Sequence, residues 1–110
     1  MDTNWTNEKE CLEAVKQDGY ALQHVKKQTP EICLEAVKEY GCALEYVKEQ
    51  TPEICLEAVK KNGYALAYVK EQTVEICVQA ILNDGGAKKY VNPEVLESEE
   101  FTHELLMETI

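Results

Sequence analysis

The sequence predicts an all-α fold: stacked helix-turn-helix repeats of 22 residues, forming a short α-solenoid with a C-terminal capping helix. Three observations carry that expectation. The stretch 29–50, TPEICLEAVKEYGCALEYVKEQ, recurs as 51–72 with 18 of 22 positions identical. A weaker copy spans about 7–28 and a diverged one about 73–94. Glycine stands at one phase of every copy, as Gly19, Gly41, Gly63 and Gly85, and divides each unit into two apolar-periodic segments. A fixed period of this kind marks an array whose units bury their apolar faces against neighbouring units.

At the N-terminal end, Asn7 is expected to cap the first helix, and Trp5 just ahead of it to fold over the open end as a hydrophobic staple. Glu10 takes the place of Ile32, Ile54 and Ile76, where no preceding repeat exists to cover an isoleucine. In the internal copies Thr29 and Thr51 supply N-caps, Pro30 and Pro52 first helical residues, and Glu31 and Glu53 charges suited to the helix N-terminus. Ile32, Cys33, Leu34, Ala36, Val37 and Tyr40 then cover over half the circumference of the helix, more than one partner needs, which predicts packing against several neighbours. Each glycine is expected to end this helix with a positive φ. A shorter second helix follows, with Ala43, Leu44, Tyr46 and Val47 inward and Glu45, Lys48 and Glu49 outward. Beyond the break at Val91-Asn92-Pro93, Ser98-Glu99-Glu100-Phe101 imitates Thr-Pro-Glu-Ile and starts the cap, about 98–110, in which Phe101, Leu105 and Leu106 are expected to close the last repeat. With no linker-like stretch, residues 1–110 read as a single domain.

Composition narrows the chemistry. The net charge is −10, from 21 acidic residues and 11 lysines, with no arginine in the chain. Direct nucleic-acid binding is therefore not expected, since the side chain best suited to bidentate phosphate and guanine contacts is missing. The second repeat carries −3, the third is neutral, and residues 95–110 carry −5. No signal-peptide pattern or membrane-length apolar run occurs, so the expected setting is cytoplasmic, without membrane contact.

Cys11, Cys33, Cys55 and Cys77 share one repeat position on the inner side of the first helix. Equivalent positions in stacked helices lie about 10 Å apart, beyond the roughly 7 Å between Cα atoms that a disulfide spans. With only two histidines and no close cysteine pairs, a metal site is not expected either, and these thiols read as small core fillers in a reducing compartment. Cys42 is the more accessible thiol and lacks an activating base. Phosphate loops, catalytic triads and metal signatures are absent from the sequence, so neither an enzyme nor a cofactor is expected. His24, Tyr46, Tyr68 and Tyr90 share a phase, as do Tyr20 and Tyr64, and both sets are expected to pack between hairpins.

The pattern Thr-Pro-Glu-Ile-Cys, Ala-Val, Gly-Tyr-Ala-Leu, Tyr-Val resembles the short helical repeats grouped as domain of unknown function 4116, over about residues 7–94. Gly85-Gly86-Ala87-Lys88 departs from that pattern, which leaves the last copy open to irregularity. The resemblance implies an all-helical interaction module and no catalytic residues. The two closest copies differ at Glu39/Lys61, Tyr40/Asn62, Cys42/Tyr64 and Glu45/Ala67, all around the glycine turn. Because the shared fold dictates the repeated positions, the variable ones mark the expected protein-binding edge, Glu39, Tyr40, Cys42, Glu45 and Tyr64. A second expected docking surface is the acidic face of the cap, Glu97, Glu99, Glu100, Glu104 and Glu108. The first function reading is a non-catalytic scaffold for a protein partner. The alternative is a small acidic inhibitor of phage type, anti-CRISPR-like, that fills the nucleic-acid channel of a basic nucleic-acid-binding enzyme with carboxylates.

Overall fold

The computed structural model describes residues 3–109. Four ten-residue helices, α1 (Glu8–Gln17), α2 (Pro30–Glu39), α3 (Pro52–Lys61) and α4 (Val74–Asn83), each lead into a six-residue 3-10 helix. These are η1 (Gly19–His24), η2 (Gly41–Tyr46), η3 (Gly63–Tyr68) and η4 (Gly85–Tyr90). A single turn, α5 (Pro93–Leu96), precedes the closing α6 (Glu99–Thr109). The second element of each repeat is thus a 3-10 rather than an α-helix, the tighter form suited to short connectors.

Successive α-helices pack side by side, α1 to α4 and then α6, and the 3-10 helices form a parallel row behind them. The helices α2, α3 and α4 also rest on the 3-10 helix of the preceding repeat. The result is a two-layer rod of 51 × 21 × 18 Å. Its radius of gyration is 15.1 Å, against about 13 Å for a compact domain of this length.

Local chemistry sets the element ends. The side chains of Asn7, Thr29, Thr51 and Thr73 each accept a hydrogen bond from a backbone N–H of the first turn, at Glu10, Ile32, Ile54 and Ile76. Asp18, Asn62 and Asp84 cap the 3-10 helices in the same way. Between the layers runs a core of Ile32, Ile54 and Ile76 with Leu22, Leu44 and Leu66, all fully buried, flanked by the alanines Ala36, Ala58 and Ala80.

The glycines do not have positive φ; among the described residues none does. Their role is steric. A Cβ on Gly41 would stand 2.5 Å from the Ala58 carbonyl oxygen and 3.1 Å from the Asn62 Cβ of the next repeat. Gly19 and Gly63 meet the Ala36 and Ala80 carbonyls in the same manner, whereas Gly85, with no repeat after it, faces nothing within 4 Å. Glycine is the residue that lets one repeat's 3-10 start touch the next repeat's helix end.

A ladder of glutamines joins the repeats. Gln28 Nε2 donates to the Tyr46 carbonyl at 2.7 Å, while its Oε1 accepts from Lys48 N at 3.0 Å and from the Cys33 thiol at 3.4 Å. Gln50 does the same with Tyr68, Lys70 and Cys55, and Gln72 with Tyr90, Asn92 and Cys77. The repeated cysteines are therefore hydrogen-bond donors as well as core fillers. At the N-terminal end backbone replaces the glutamine: the Trp5 carbonyl accepts from Lys26 N, and the Asn4 carbonyl from the Cys11 thiol.

The ends differ from expectation in two places. The fourth repeat is regular despite Gly85-Gly86-Ala87-Lys88: η4 has the length of the other three, and Asp84 caps it. Lys88 stands exposed at the phase of buried Leu22, Leu44 and Leu66, an outward charge where no further unit arrives. In α6, capped by Ser98, Phe101 is buried and Leu105 half-buried, but Leu106 is 57% exposed. A closing helix seated on α4, with only the single turn of α5 besides, buries a narrower arc than α2 or α3.

Candidate functional site

All six tyrosines belong to the 3-10 row or to its hinge. Tyr20, Tyr46, Tyr64, Tyr68 and Tyr90 lie in η1 to η4, and Tyr40 joins α2 to η2. The row's apolar side, Ala43, Leu44, Ala65, Leu66 and Ala87, faces the core, which turns the tyrosines toward its outer edge. Tyr20, Tyr64, Tyr68 and Tyr90 are each more than a third exposed.

Two clusters stand on this edge, two repeats apart. In the first, the Tyr20 ring lies 4.2 Å from Tyr40 and 6.0 Å from Tyr46, centroid to centroid, and the Tyr20 hydroxyl donates to the Tyr40 hydroxyl at 2.5 Å. Because the two phenols share hydrogen bonding that ionising Tyr40 would disrupt, their pairing, with burial, raises the Tyr40 pKa well above the ordinary phenol range. In the second, Tyr64 lies 6.0 Å from Tyr90, edge to face, and the Lys89 ammonium sits 5.4 and 5.3 Å from the two ring centroids. Residue size explains the spacing. The Tyr20 phase continues as Cys42, Tyr64 and Gly86, alternating large and small. A Cβ on Gly86 would collide with the Tyr64 hydroxyl, so glycine makes room for that ring.

Of the expected edge residues, the structure joins Tyr40, Cys42 and Glu45 in the first cluster and places Tyr64 in the second. Asn62 Nδ2 donates to Cys42 Sγ at 3.4 Å, and the negative charge of Glu45 bears on Tyr46 and Tyr68. Glu39 ends α2, exposed, outside the ring contacts. Tyr20, Tyr46 and Tyr90, expected to pack between hairpins ahead of contacting a ligand, make ring contacts with their neighbours and, with Tyr68, form this edge. At the other end of the rod, Glu100, Glu104 and Glu108 line a groove between α4 and α6 with Val74, Val78, Gln79 and Glu75. Glu97 and Glu99 lie outside that lining, at the α5 end and the α6 start. Glu75 was not anticipated, although it repeats the phase of Glu31 and Glu53.

All five thiols have raised pKa values, with burial as the largest cause in each; Cys33 and Cys77 are pushed up to about 11. They are protonated near neutrality, and the thiol form is a poor nucleophile and metal ligand. Among the described residues no group of three or more His, Cys, Asp or Glu is placed to hold a metal ion, and no helix is long and apolar enough to cross a membrane.

A family model described as Domain of unknown function (DUF4116) matches residues 7–51 and again 29–74. The two matches overlap and are offset by one repeat. No curated protein and no solved structure matches the chain.

Proposed function

The chain belongs to the domain of unknown function 4116 family, and from that premise we infer that it is a non-catalytic module that docks a protein partner along the 3-10 edge. The observation that carries this reading is the gathering of all six tyrosines on one edge, four of them 36–39% exposed. Tyrosine offers a rigid apolar face and a hydroxyl for little conformational entropy, and it is enriched where proteins meet. Protonated thiols, four of them buried, support a role without nucleophilic chemistry. The test is capture of partners from lysate by immobilised wild-type protein and by a Tyr68→Ala/Tyr90→Ala variant. Both rings are exposed, so the variant should fold, and it is expected to lose the partner. Equal capture by the two proteins would remove this edge as the docking surface.

A second reading, the acidic inhibitor of a basic nucleic-acid-binding enzyme, draws on the groove where Glu75, Glu100, Glu104 and Glu108 meet. Salt separates the two. Carboxylates standing in for phosphates should release the partner steeply as ionic strength rises, whereas a tyrosine edge should hold it.

A further inference from the structure

The two tyrosine clusters stand at equivalent repeat positions and differ in the side chain that accompanies each pair of rings. Tyr20 and Tyr46 occupy the repeat positions of Tyr64 and Tyr90, and both pairs have ring centroids 6.0 Å apart. The residue that enters the second pair is Lys89, whose ammonium lies 5.4 and 5.3 Å from the two centroids. That is within the roughly 6 Å over which a cation is held by a ring's negative face. The residue at the same repeat position in the first pair is Glu45. Among the described residues, Lys89 is the cation found over tyrosine rings, so the first pair has no lysine of its own in that place.

The substitution exchanges a built-in cation for a carboxylate that would attract one. A third ring adds to this site: Tyr40, where the other cluster has Asp84, lies 4.2 Å from Tyr20 and is tied to it through the two hydroxyls. Charge agrees, because the second repeat carries −3 while the third is neutral. The faces of Tyr20 and Tyr46 thus offer to an incoming ammonium what Tyr64 and Tyr90 give to Lys89, and Glu45, whose charge bears on Tyr46 and on Tyr68, adds a counter-charge beside them.

We propose that Tyr20, Tyr40, Tyr46 and Glu45 form a cation cage that receives a lysine side chain of the protein partner. The assignment rests on the docking reading above for the source of the lysine, and on the internal comparison with Lys89 for its chemistry.

The test uses the intact chain and three probes at constant ionic strength: a lysine tripeptide blocked at both ends, its norleucine counterpart and tetramethylammonium chloride. Tyrosine ring signals are followed by NMR. The lysine peptide should give saturable shifts at Tyr20 and Tyr46, with a dissociation constant on the order of millimolar, and the norleucine peptide should give none. Glu45→Lys, which reproduces the arrangement of the fourth repeat and so should fold, should weaken that binding at least about tenfold. Lys89→Glu should create a second set of saturable shifts at Tyr64 and Tyr90. Equal binding of the norleucine peptide, or no loss in Glu45→Lys, would overturn the cage. Binding of tetramethylammonium without the lysine peptide would overturn lysine as the occupant. If no probe binds while Tyr68→Ala/Tyr90→Ala still loses the partner, the cage is refuted and the docking edge stands. If the lysine peptide binds and Tyr68→Ala/Tyr90→Ala captures the partner as well as wild type, the cage stands and the wider edge falls.

Discussion

At Gly41 the approach of the Ala58 carbonyl leaves no space for a methyl group, while the same residue type at Gly85 faces open solvent. Neither has a positive φ, so the two substitutions separate sterics from backbone conformation. Gly41→Ala is expected to destabilise by about 1–3 kcal/mol through overpacking against rigid backbone. Gly85→Ala should be neutral or stabilising by up to about 1 kcal/mol, because alanine restricts the unfolded chain. Urea denaturation of the two variants checks both, and equal losses would reject the steric account. The thiols give a second prediction. Burial pushes Cys33 and Cys77 from 9.0 to about 11, so their contribution to stability is complete below pH 9 and lost as pH rises through about 11. Across that interval the unfolded chain gives up protons that the folded chain keeps, and the stability curve slopes downward. Tyr46, through burial and then Glu45, and Tyr68, through Glu45 and then burial, shift in the same direction. The urea midpoint should therefore fall between pH 9 and about 11, less steeply in a Cys33→Ala/Cys77→Ala variant. A midpoint flat across the interval would contradict the raised thiols. Sequence reading placed these cysteines inside correctly but missed their donor role, because the accepting glutamine, five residues earlier, lies outside the helix that carries the thiol.

Between elements, the glutamine ladder does what a strand ladder does in a sheet: it satisfies backbone groups of one unit with atoms from its neighbour. Gln50, at the end of the second repeat, holds the Tyr68 carbonyl at 2.7 Å and the Lys70 N–H at 3.0 Å just where η3 stops. Gln50→Ala removes both bonds and the acceptor of the Cys55 thiol, and should cost about 1–3 kcal/mol. An exposed control, Glu49→Ala, should stay within about 0.5 kcal/mol of wild type. Hydrogen exchange at the Lys70 amide gives the local readout, and an unchanged rate in Gln50→Ala would show that the ladder bond does not form in solution. The signal for this ladder was in the sequence, since Gln28, Gln50 and Gln72 recur at one phase. Periodicity marks such a residue as repeated without saying which neighbour it reaches. Helix starts were legible for the opposite reason: a threonine cap acts within its own first turn. The exposure of Leu106 and the burial of glycine against carbonyls both depend on which units lie alongside. Local pattern does not carry that information.

Over the whole rod two periods coexist. Backbone contacts have the period of one unit: a side-chain cap at Asn7, Thr29, Thr51 and Thr73, the glutamine ladder from Gln28, Gln50 and Gln72, and the glycine approaches at Gly19, Gly41 and Gly63. On the tyrosine edge, Tyr46, Tyr68 and Tyr90 recur with every unit, but the Tyr20 phase recurs with every second one, because Tyr20, Cys42, Tyr64 and Gly86 alternate large and small. Stability and surface chemistry are therefore specified by different residues, and the array should lengthen without losing either. A second copy of residues 29–72 inserted after Gln72 recreates at each new junction the Gln-Thr step already present between Gln50 and Thr51. Each added unit brings the buried set seen in the third repeat, Ile54, Cys55, Ala58, Val59 and Leu66, against a neighbour of matching shape. In a one-dimensional array each new interface adds to stability. The lengthened chain should show a higher urea midpoint and a steeper transition, since more surface is exposed in one cooperative event. It should also carry a second Glu45 position facing tyrosines of the Tyr20 and Tyr46 phases, and so bind two equivalents of the blocked lysine peptide. An unchanged midpoint and slope would mean that the inserted units fold outside the array, and that coupling between repeats depends on the two ends rather than on the shared interface.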